Sequence, residues 1–263
     1  MPGESPPQRL SRETISASPI LLRRLLFLSL ALLTWGAAVS ADTASVRYVI
    51  DGDSLVLADG RQVRLIGINA PEIGLEDRPD EPLARAARNR MAQLTERQPI
   101  TLSYDRETAD RHGRVLAYVA RTDGTDVQAQ LVREGLAWCV AIPPNTARAA
   151  DYCGLEREPR AAKRGIWGHP NYAPTPAGDL GPFDTGFKRV RGTVTRIGHG
   201  PHAVYLDLGP RLNLLIPREA WREFPSGSRP SLGQTLVARG WVTEYKNSLR
   251  MRVAHPAMLE ILP

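Results

Sequence analysis

Residues 46–68 read VRYVIDGDSLVLADGRQVRLIGI. Three apolar runs, Val46–Ile50, Ser54–Leu57 and Gln62–Ile68, are separated by Asp51-Gly52 and Asp59-Gly60. Asp-Gly between aliphatic and β-branched residues marks a tight turn, so this stretch predicts three short strands. Downstream, Leu83, Ala87, Met91 and Leu94 recur at helical spacing and predict a helix over 81–96, with Pro82 in its first turn. Strands are expected at Pro99–Tyr104 and Arg114–Ala120. A second helix is expected from Asp126, a good N-cap, to Gly135, a good stop. A third lies between Thr146 and Gly165, with Pro159 either kinking it or marking its start.

Residues 169–186, HPNYAPTPAGDLGPFDTG, are rich in proline and glycine, and 171–187 reads as a linker. Beyond it, Val190–Val194, Ala203–Leu208, Leu212–Ile216, Thr235–Val242 and a run from Leu249 predict strands, with a short helical piece near Pro217–Glu223. The expected architecture is therefore mainly β with helices (α+β), built as two small barrels over 42–170 and 188–263.

The 263 residues are 42% hydrophobic and 24% charged, which excludes a disordered chain, a collagen-like repeat and a disulfide-dense miniprotein. The net charge is +6 and the sequence pI about 9.7. Of the 34 basic residues only Lys163, Lys188 and Lys246 are lysines. Arginine suits phosphate, but a biased genome gives the same composition. Residues 42–170 hold 18 basic and 19 acidic residues, while 171–263 hold 12 and 7, so the excess charge of that part of the chain sits in its second half. There Arg189, Arg191, Arg196, Arg239, Lys246, Arg250 and Arg252 read as a phosphate-tracking groove, with Tyr205 or Trp241 for stacking, or as a charged surface.

Arg23 and Arg24, the apolar run Leu25–Leu33 and the small residues Ala37–Ala41 follow the order of a secretory signal over 1–41, with cleavage expected after Ala41. The alternative is an uncleaved anchor, although Leu25–Val39 is short for the ~20 residues of a bilayer span. Export implies a periplasmic or secreted protein without stable membrane association after cleavage. It also favours a disulfide between Cys139 and Cys153 over two buried thiols.

Asp51 and Asp53 flank Gly52. The pair reads either as an ordinary hairpin turn or as oxygen ligands for a hard cation, with Asp51 in a supporting role. In Arg64-Leu65-Ile66-Gly67-Ile68-Asn69-Ala70-Pro71-Glu72, alternation places Arg64, Ile66 and Ile68 on one face, and Glu72 follows a proline-stiffened turn. In Asp110-Arg111-His112-Gly113-Arg114, an arginine follows a glycine turn at the mouth of a strand. Together these supply metal ligands, a carboxylate base and two arginines, the parts needed to cleave a phosphodiester.

The stretches VIDGDSLVL, VRLIGINAPE, DRHGRVLAYV, LVREGLAW and KRGIW resemble, in order and spacing, the staphylococcal nuclease (thermonuclease) family over Val46–Trp167. The resemblance implies a five-stranded OB-type barrel with three helices and a calcium-dependent nuclease acting on DNA and RNA with low sequence preference, leaving 3′-phosphates. It implies Asp53 as a calcium ligand, Arg64 and Arg114 as phosphate arginines, and Glu72 as general base. Asn69 stands where the family has a second calcium-binding aspartate, and Ala70, in place of threonine, keeps a backbone carbonyl as ligand. His112 replaces a pocket tyrosine, and another pocket tyrosine has no counterpart near Cys139–Pro143. The Asn69 change favours the rival reading of a nuclease-fold module that binds nucleic acid or a protein with weakened catalysis. The second half resembles, by pattern, small OB-type domains.

Overall fold

The computed structural model describes Gly3 and residues 42–74, 78–225, 227 and 229–263. The signal expected over 1–41, and residues 75–77, lie outside the described residues. Residues 42–263 form one compact unit.

The first barrel comprises β1 (Asp42–Ala44), β2 (Val46–Val49), β3 (Ser54–Leu57), β4 (Gln62–Leu65), β5 (Ile68–Asn69), helix α1 (Ala84–Thr95), β6 (Ile100–Ser103), β7 (Val115–Arg121), α2 (Val127–Arg133), β8 (Trp138–Cys139), α3 (Ala149–Leu155) and α4 (Arg157–Ala161). β1 and β2 are one extended segment interrupted at Ser45. β2 pairs with β3 and β1 with β6, and the order β1-β6-β7-β4-β3-β2 thus closes on itself as a five-stranded barrel. The one parallel contact of this ring is β4 with β7, in register Arg64↔Leu116. Leu55, Leu57, Val63, Leu65, Ile100 and Met91 of α1 fill its core.

Local chemistry sets the element ends. α1 begins at Ala84 rather than Glu81, because Leu83 takes a left-handed φ of 66° after Pro82 and interrupts the helical run. Asp126 caps α2 by accepting from the Ala129 amide, and Gly135, at φ 68°, ends it with the Leu136 amide donating to the Leu131 carbonyl. The third expected helix is two helices meeting at Glu156, one turn before Pro159, which has no N–H for the Leu155 carbonyl. The strand expected through Ile68 stops at Leu65. Ile66 and Gly67 form a turn, with Gly67 at φ 83°, where a side chain would strike the Tyr152 ring at 2.8 Å. The simple alternation of Arg64, Ile66 and Ile68 therefore does not hold. Ile68 and Asn69 instead pair with Cys139 and Trp138 of β8.

Residues 171–187 are more than a connecting tether. Thr175–Pro176 (β9) pairs in parallel with β10 (Gly186–His199), and Ala177 and Leu180 enter the second core. That barrel continues with β11 (Ala203–Leu208), β12 (Leu212–Pro217), α5 (Arg218–Glu223), β13 (Thr235–Tyr245), β14 (Ser248–Arg252) and the edge strand β15 (Leu259–Ile261). Pairing runs β10-β11-β12-β14-β13 and returns from β13 to β10, a closed five-stranded barrel. Its parallel pair is β12 with β14, and its helix sits between the third and fourth strands. The first barrel has the same order, the same parallel pair and a helix at the same place, so both follow the OB-type path.

The barrels share a seam. Trp138 packs against Tyr172 and Phe187 at ring distances of 4.8 and 5.3 Å, and Phe187 packs on Trp241 at 5.0 Å. The buried Glu156 carboxylate accepts from the Cys139 amide at 2.6 Å and from Arg239 Nη1 at 2.7 Å. Arg189 lies over Trp167 at 4.8 Å and donates to the Tyr172 carbonyl, and burial, with Arg160 and Arg239 nearby, pulls its guanidinium down to about 10. Arg189 and Arg239 thus serve this seam rather than a continuous phosphate groove, while Trp241 packs on Phe187 and stays 38% exposed. Cys139 and Cys153 are bonded as a disulfide beside it. Among the described residues no helix is long and apolar enough to cross a membrane.

Candidate active site

Asp53 closes the turn between β2 and β3. Its amide donates to Asp51 Oδ1 at 2.9 Å, so Asp51 is the turn support expected for it. Gly52 is required here for space: a Cβ would lie 2.5 Å from that of Ala70 and 2.6 Å from that of Ala87. The Asp53 carboxylate, 2% exposed, is held on every side. Oδ1 accepts from Ser54 Oγ at 3.0 Å and faces Arg64 Nη1 at 3.0 Å, while Oδ2 accepts from the Ala70 amide at 2.7 Å.

Arg64 projects from β4. Besides Asp53, its guanidinium donates to the Leu65 carbonyl at 2.7 Å, the Ile68 carbonyl at 3.2 Å and Asn69 Oδ1 at 3.1 Å. An inward arginine needs anionic or carbonyl partners, and the turn after β4 supplies them. Asn69 Nδ2 in turn points at the Ala70 carbonyl, 3.4 Å away.

Glu72 lies just past this turn. Its side chain is exposed, yet partial desolvation of the carboxyl pushes its pKa up and Asp53 adds to the rise, while Arg64 and Arg114 oppose it. Those mutual influences place Glu72 within electrostatic reach of Asp53, Arg64 and Arg114 together. Arg114, at the mouth of β7, is aimed by Asp110, which accepts from its Nε at 2.8 Å and from its amide at 3.0 Å. Burial raises the Asp110 pKa, but these bonds and that from the His112 amide outweigh it and hold it below the ordinary value. His112 is an exposed loop residue whose Nε2 accepts from Arg111.

Two supports were not legible as such in the sequence. Gln128 is fully buried in α2. Its Oε1 accepts from the Val119 amide and its Nε2 donates to the carbonyls of Ile66 and Ala117, fixing the turn that carries Asn69 and Ala70. The signal was a polar residue between Val127 and Leu131 on an apolar face. Glu81 and Asp80 belong to a loop that reads as a solvated acidic face. Glu81 accepts from the Glu72 amide at 3.0 Å and Asp80 from the Gly74 amide at 3.0 Å, so they hold the Glu72 loop.

Whether a cation suits this site follows from its donors. Burial first, and then the Asp53 charge, push the Asp51 pKa up to about 7. Carboxylates crowded in this way gain from a nearby positive charge. Asp53, the Asn69 amide oxygen and the Ala70 carbonyl are all hard oxygen donors, the chemistry of calcium rather than of zinc. Among the described residues no three His, Cys, Asp or Glu side chains are grouped to hold a metal ion. The donor types therefore suit a hard cation held by a single strong carboxylate and neutral oxygens, although Asp53 Oδ1 and Asn69 Oδ1 are turned to Arg64 and Asp53 Oδ2 to the Ala70 amide.

Residues 62–169 match the model of a family described as staphylococcal nuclease homologue. The chain is 35% identical over 132 residues to a thermonuclease of Staphylococcus intermedius, covering 49% of this chain and 78% of that protein. It is 31% identical over 149 residues to a protein of Escherichia coli called an uncharacterized endonuclease, covering 56% of this chain and 90% of that protein. To endonuclease YncB of Bacillus subtilis it is 32% identical over 128 residues, covering 47% and 60%. The family match begins at β4 and ends past α4, so it holds Arg64, Asn69, Glu72 and Arg114 and leaves the second barrel outside. With the closed barrel, the spacing of its charged turns and a relative matched over nine-tenths of its length, the chain belongs to the staphylococcal nuclease homologue family.

Proposed function

We propose that this protein is an exported, calcium-dependent nuclease that hydrolyses phosphodiester bonds of DNA or RNA with little sequence preference. The observation that carries this reading is the Arg64–Asp53 contact beside Glu72, whose carboxyl feels the charges of Asp53, Arg64 and Arg114. Glu72 accepts a proton from water as the water oxygen bonds to phosphorus, and the bond from phosphorus to the 5′ oxygen breaks as that oxygen takes up a proton from solvent. Arg64 and Arg114 donate to the non-bridging oxygens, where negative charge grows. A general base contributes ~10²–10⁴-fold in such steps. Asp53, with the Asn69 and Ala70 oxygens, would hold a calcium ion, which would supply further positive charge near the phosphate. The pairing of Cys139 with Cys153 supports an oxidising compartment, periplasmic or extracellular, in keeping with the signal-like order of 1–41.

The test is digestion of single-stranded DNA, duplex DNA and RNA with calcium, with other divalent ions and with chelator. Glu72→Gln and Arg114→Ala should each lower cleavage by at least about 10²-fold. Asn69→Asp should tighten calcium binding, read by calorimetry, because a second carboxylate joins the donors. One observation favours a second reading: Arg64 is already satisfied by acceptors inside its own fold. Nucleic-acid affinity without cleavage, or variants as active as the parent, would make the barrel a binding module.

A further inference from the structure

We infer that the second barrel carries a stacking site for single-stranded nucleic acid, built on Tyr205, Tyr245, Lys246 and Arg250. The inference rests on the nuclease reading for its substrate class but uses none of the residues given catalytic roles. Lys246 and Asn247 form a two-residue hairpin loop with φ of 47° and 60°, and Tyr245 pairs with Ser248 across it. Such a loop is rigid, so Tyr245, 40% exposed, is held out at the rim where the fourth and fifth strands of the barrel turn. Arg250, two residues along β14, lays its guanidinium over the Tyr245 ring at 3.4 Å and over the Tyr205 ring at 5.9 Å. Lys246 Nζ lies 5.5 Å from the centre of the Tyr245 ring. The result is two aromatic rings bridged by one cation, with a second cation at the tip.

This arrangement answers the two faces of a single strand. Bases offer flat π surfaces and phosphates offer negative charge, and alternating rings and cations meet both without reading sequence. The second strand and the loop between the fourth and fifth are also where barrels of this path take oligonucleotides. The carboxylate of this face, Asp207, is answered by Arg196 at 2.6 Å and by Asn213, and therefore does not neutralise Arg250. Asn213 and Arg250 are register partners on β12 and β14. The buried Asn213 Oδ1 and Arg250 Nε have no partner among the described residues, so the cluster keeps hydrogen-bonding capacity its own fold does not use.

The experiment is fluorescence anisotropy of the full chain with a labelled thymidine oligonucleotide in chelator, beside hydrolysis of a nitrophenyl thymidine phosphate reporter in calcium. Tyr245→Ala and Arg250→Gln should each weaken oligonucleotide binding about tenfold. Lys246→Ala should reduce the log–log salt slope by about 0.7, one phosphate contact on a single strand. The reporter, a single nucleotide with no neighbouring base to stack, should be hydrolysed at the parent rate. Thermal melts of each variant separate lost folding from lost contact, and the exposed Lys246 provides a variant that leaves the sheet intact. Oligonucleotide affinity unchanged in folded Tyr245→Ala and Lys246→Ala proteins overturns the site even if the reporter is cleaved. A parent that cannot cleave the reporter but loses oligonucleotide affinity in these variants overturns the nuclease reading and leaves the site standing. Equal losses on duplex and single strands overturn its assignment to single strands.

Discussion

Arg64 Nη1 lies 3.0 Å from Asp53 Oδ1, a contact between the arginine proposed to bind phosphate and the carboxylate proposed to hold the metal, with side chains only 14% and 2% exposed. One guanidinium thus serves two purposes, since it neutralises a buried carboxylate and presents charge toward the site. Removing one member of a buried pair leaves the other uncompensated, at a cost of about 3 kcal/mol. Arg64→Ala should therefore lower the unfolding midpoint in chelator as well as cleavage. Calcium should raise that midpoint more in Arg64→Ala than in the parent, because the freed Asp53 gains more from a cation. Calorimetry with and without calcium measures both. Equal melting of parent and variant would show that the contact contributes nothing to the fold.

Gly52 sits where the turn before β3 passes so close to Ala70 and Ala87 that an added Cβ would lie 2.5 and 2.6 Å from theirs. Neither neighbour is the flexible end of a long side chain, so an added methyl must move the turn, α1 or the Ala70 segment. Overpacking of this kind costs about 1–3 kcal/mol. Gly52→Ala should lower stability by that amount and weaken calcium binding by displacing the Ala70 carbonyl from Asp53. Denaturant unfolding and metal titration follow the two effects separately, and a variant matching the parent in both would refute the close fit.

Much of this fold was legible because its signals are local. Asp51-Gly52 and Asp59-Gly60 separate three strands, Asp126 and Gly135 bound a helix, and alternation from Ala203 to Leu208 marks a strand. The charged residues of the candidate site drew notice because they sit at turns at strand ends, where barrels place functional side chains, but their roles came with the family resemblance. What sequence could not supply was contact at long separation. Nothing near Arg239 in the chain says that its partner is Glu156, and nothing near Glu72 says that Glu81 holds its amide. The basic residues of the second half likewise read as one set, although Arg189 and Arg239 turn into the seam while Arg250 stays with the tyrosines.

Glu134, at the end of α2, accepts Nε and Nη2 of Arg90 from α1 and Nε2 of Gln130. Burial raises its pKa, but Arg90 and Gln130 outweigh burial and hold it below the ordinary glutamate value of 4.5. A lowered folded-state pKa means that the unfolded chain takes up the proton first as pH falls. The stabilisation is therefore complete above about pH 4.5 and is lost as pH drops through the lower folded value. The pair is about 30% exposed, which limits its contribution to about 1 kcal/mol. Glu134→Gln should be less stable than the parent at pH 7, with the gap closing in acid. A gap independent of pH would assign the effect to packing.

Glu156 and Arg239 join the two barrels through a buried pair, 7% and 14% exposed, to which the Cys139 amide adds a third contact. The two partners are not equivalent. Glu156→Gln keeps an oxygen for the Cys139 amide and leaves an arginine that also donates to the Ala257 carbonyl. Arg239→Met strands a buried carboxylate with one amide as its remaining donor. Arg239→Met should therefore cost about 3–5 kcal/mol, and Glu156→Gln less. The double variant should be more stable than Arg239→Met alone, because removing the stranded charge relieves the penalty. Denaturant unfolding of the four proteins measures the coupling directly. Simple additivity of the two single effects would mean that the barrels are held by the Trp138, Phe187 and Trp241 rings instead, and that the ion pair only occupies the seam they create.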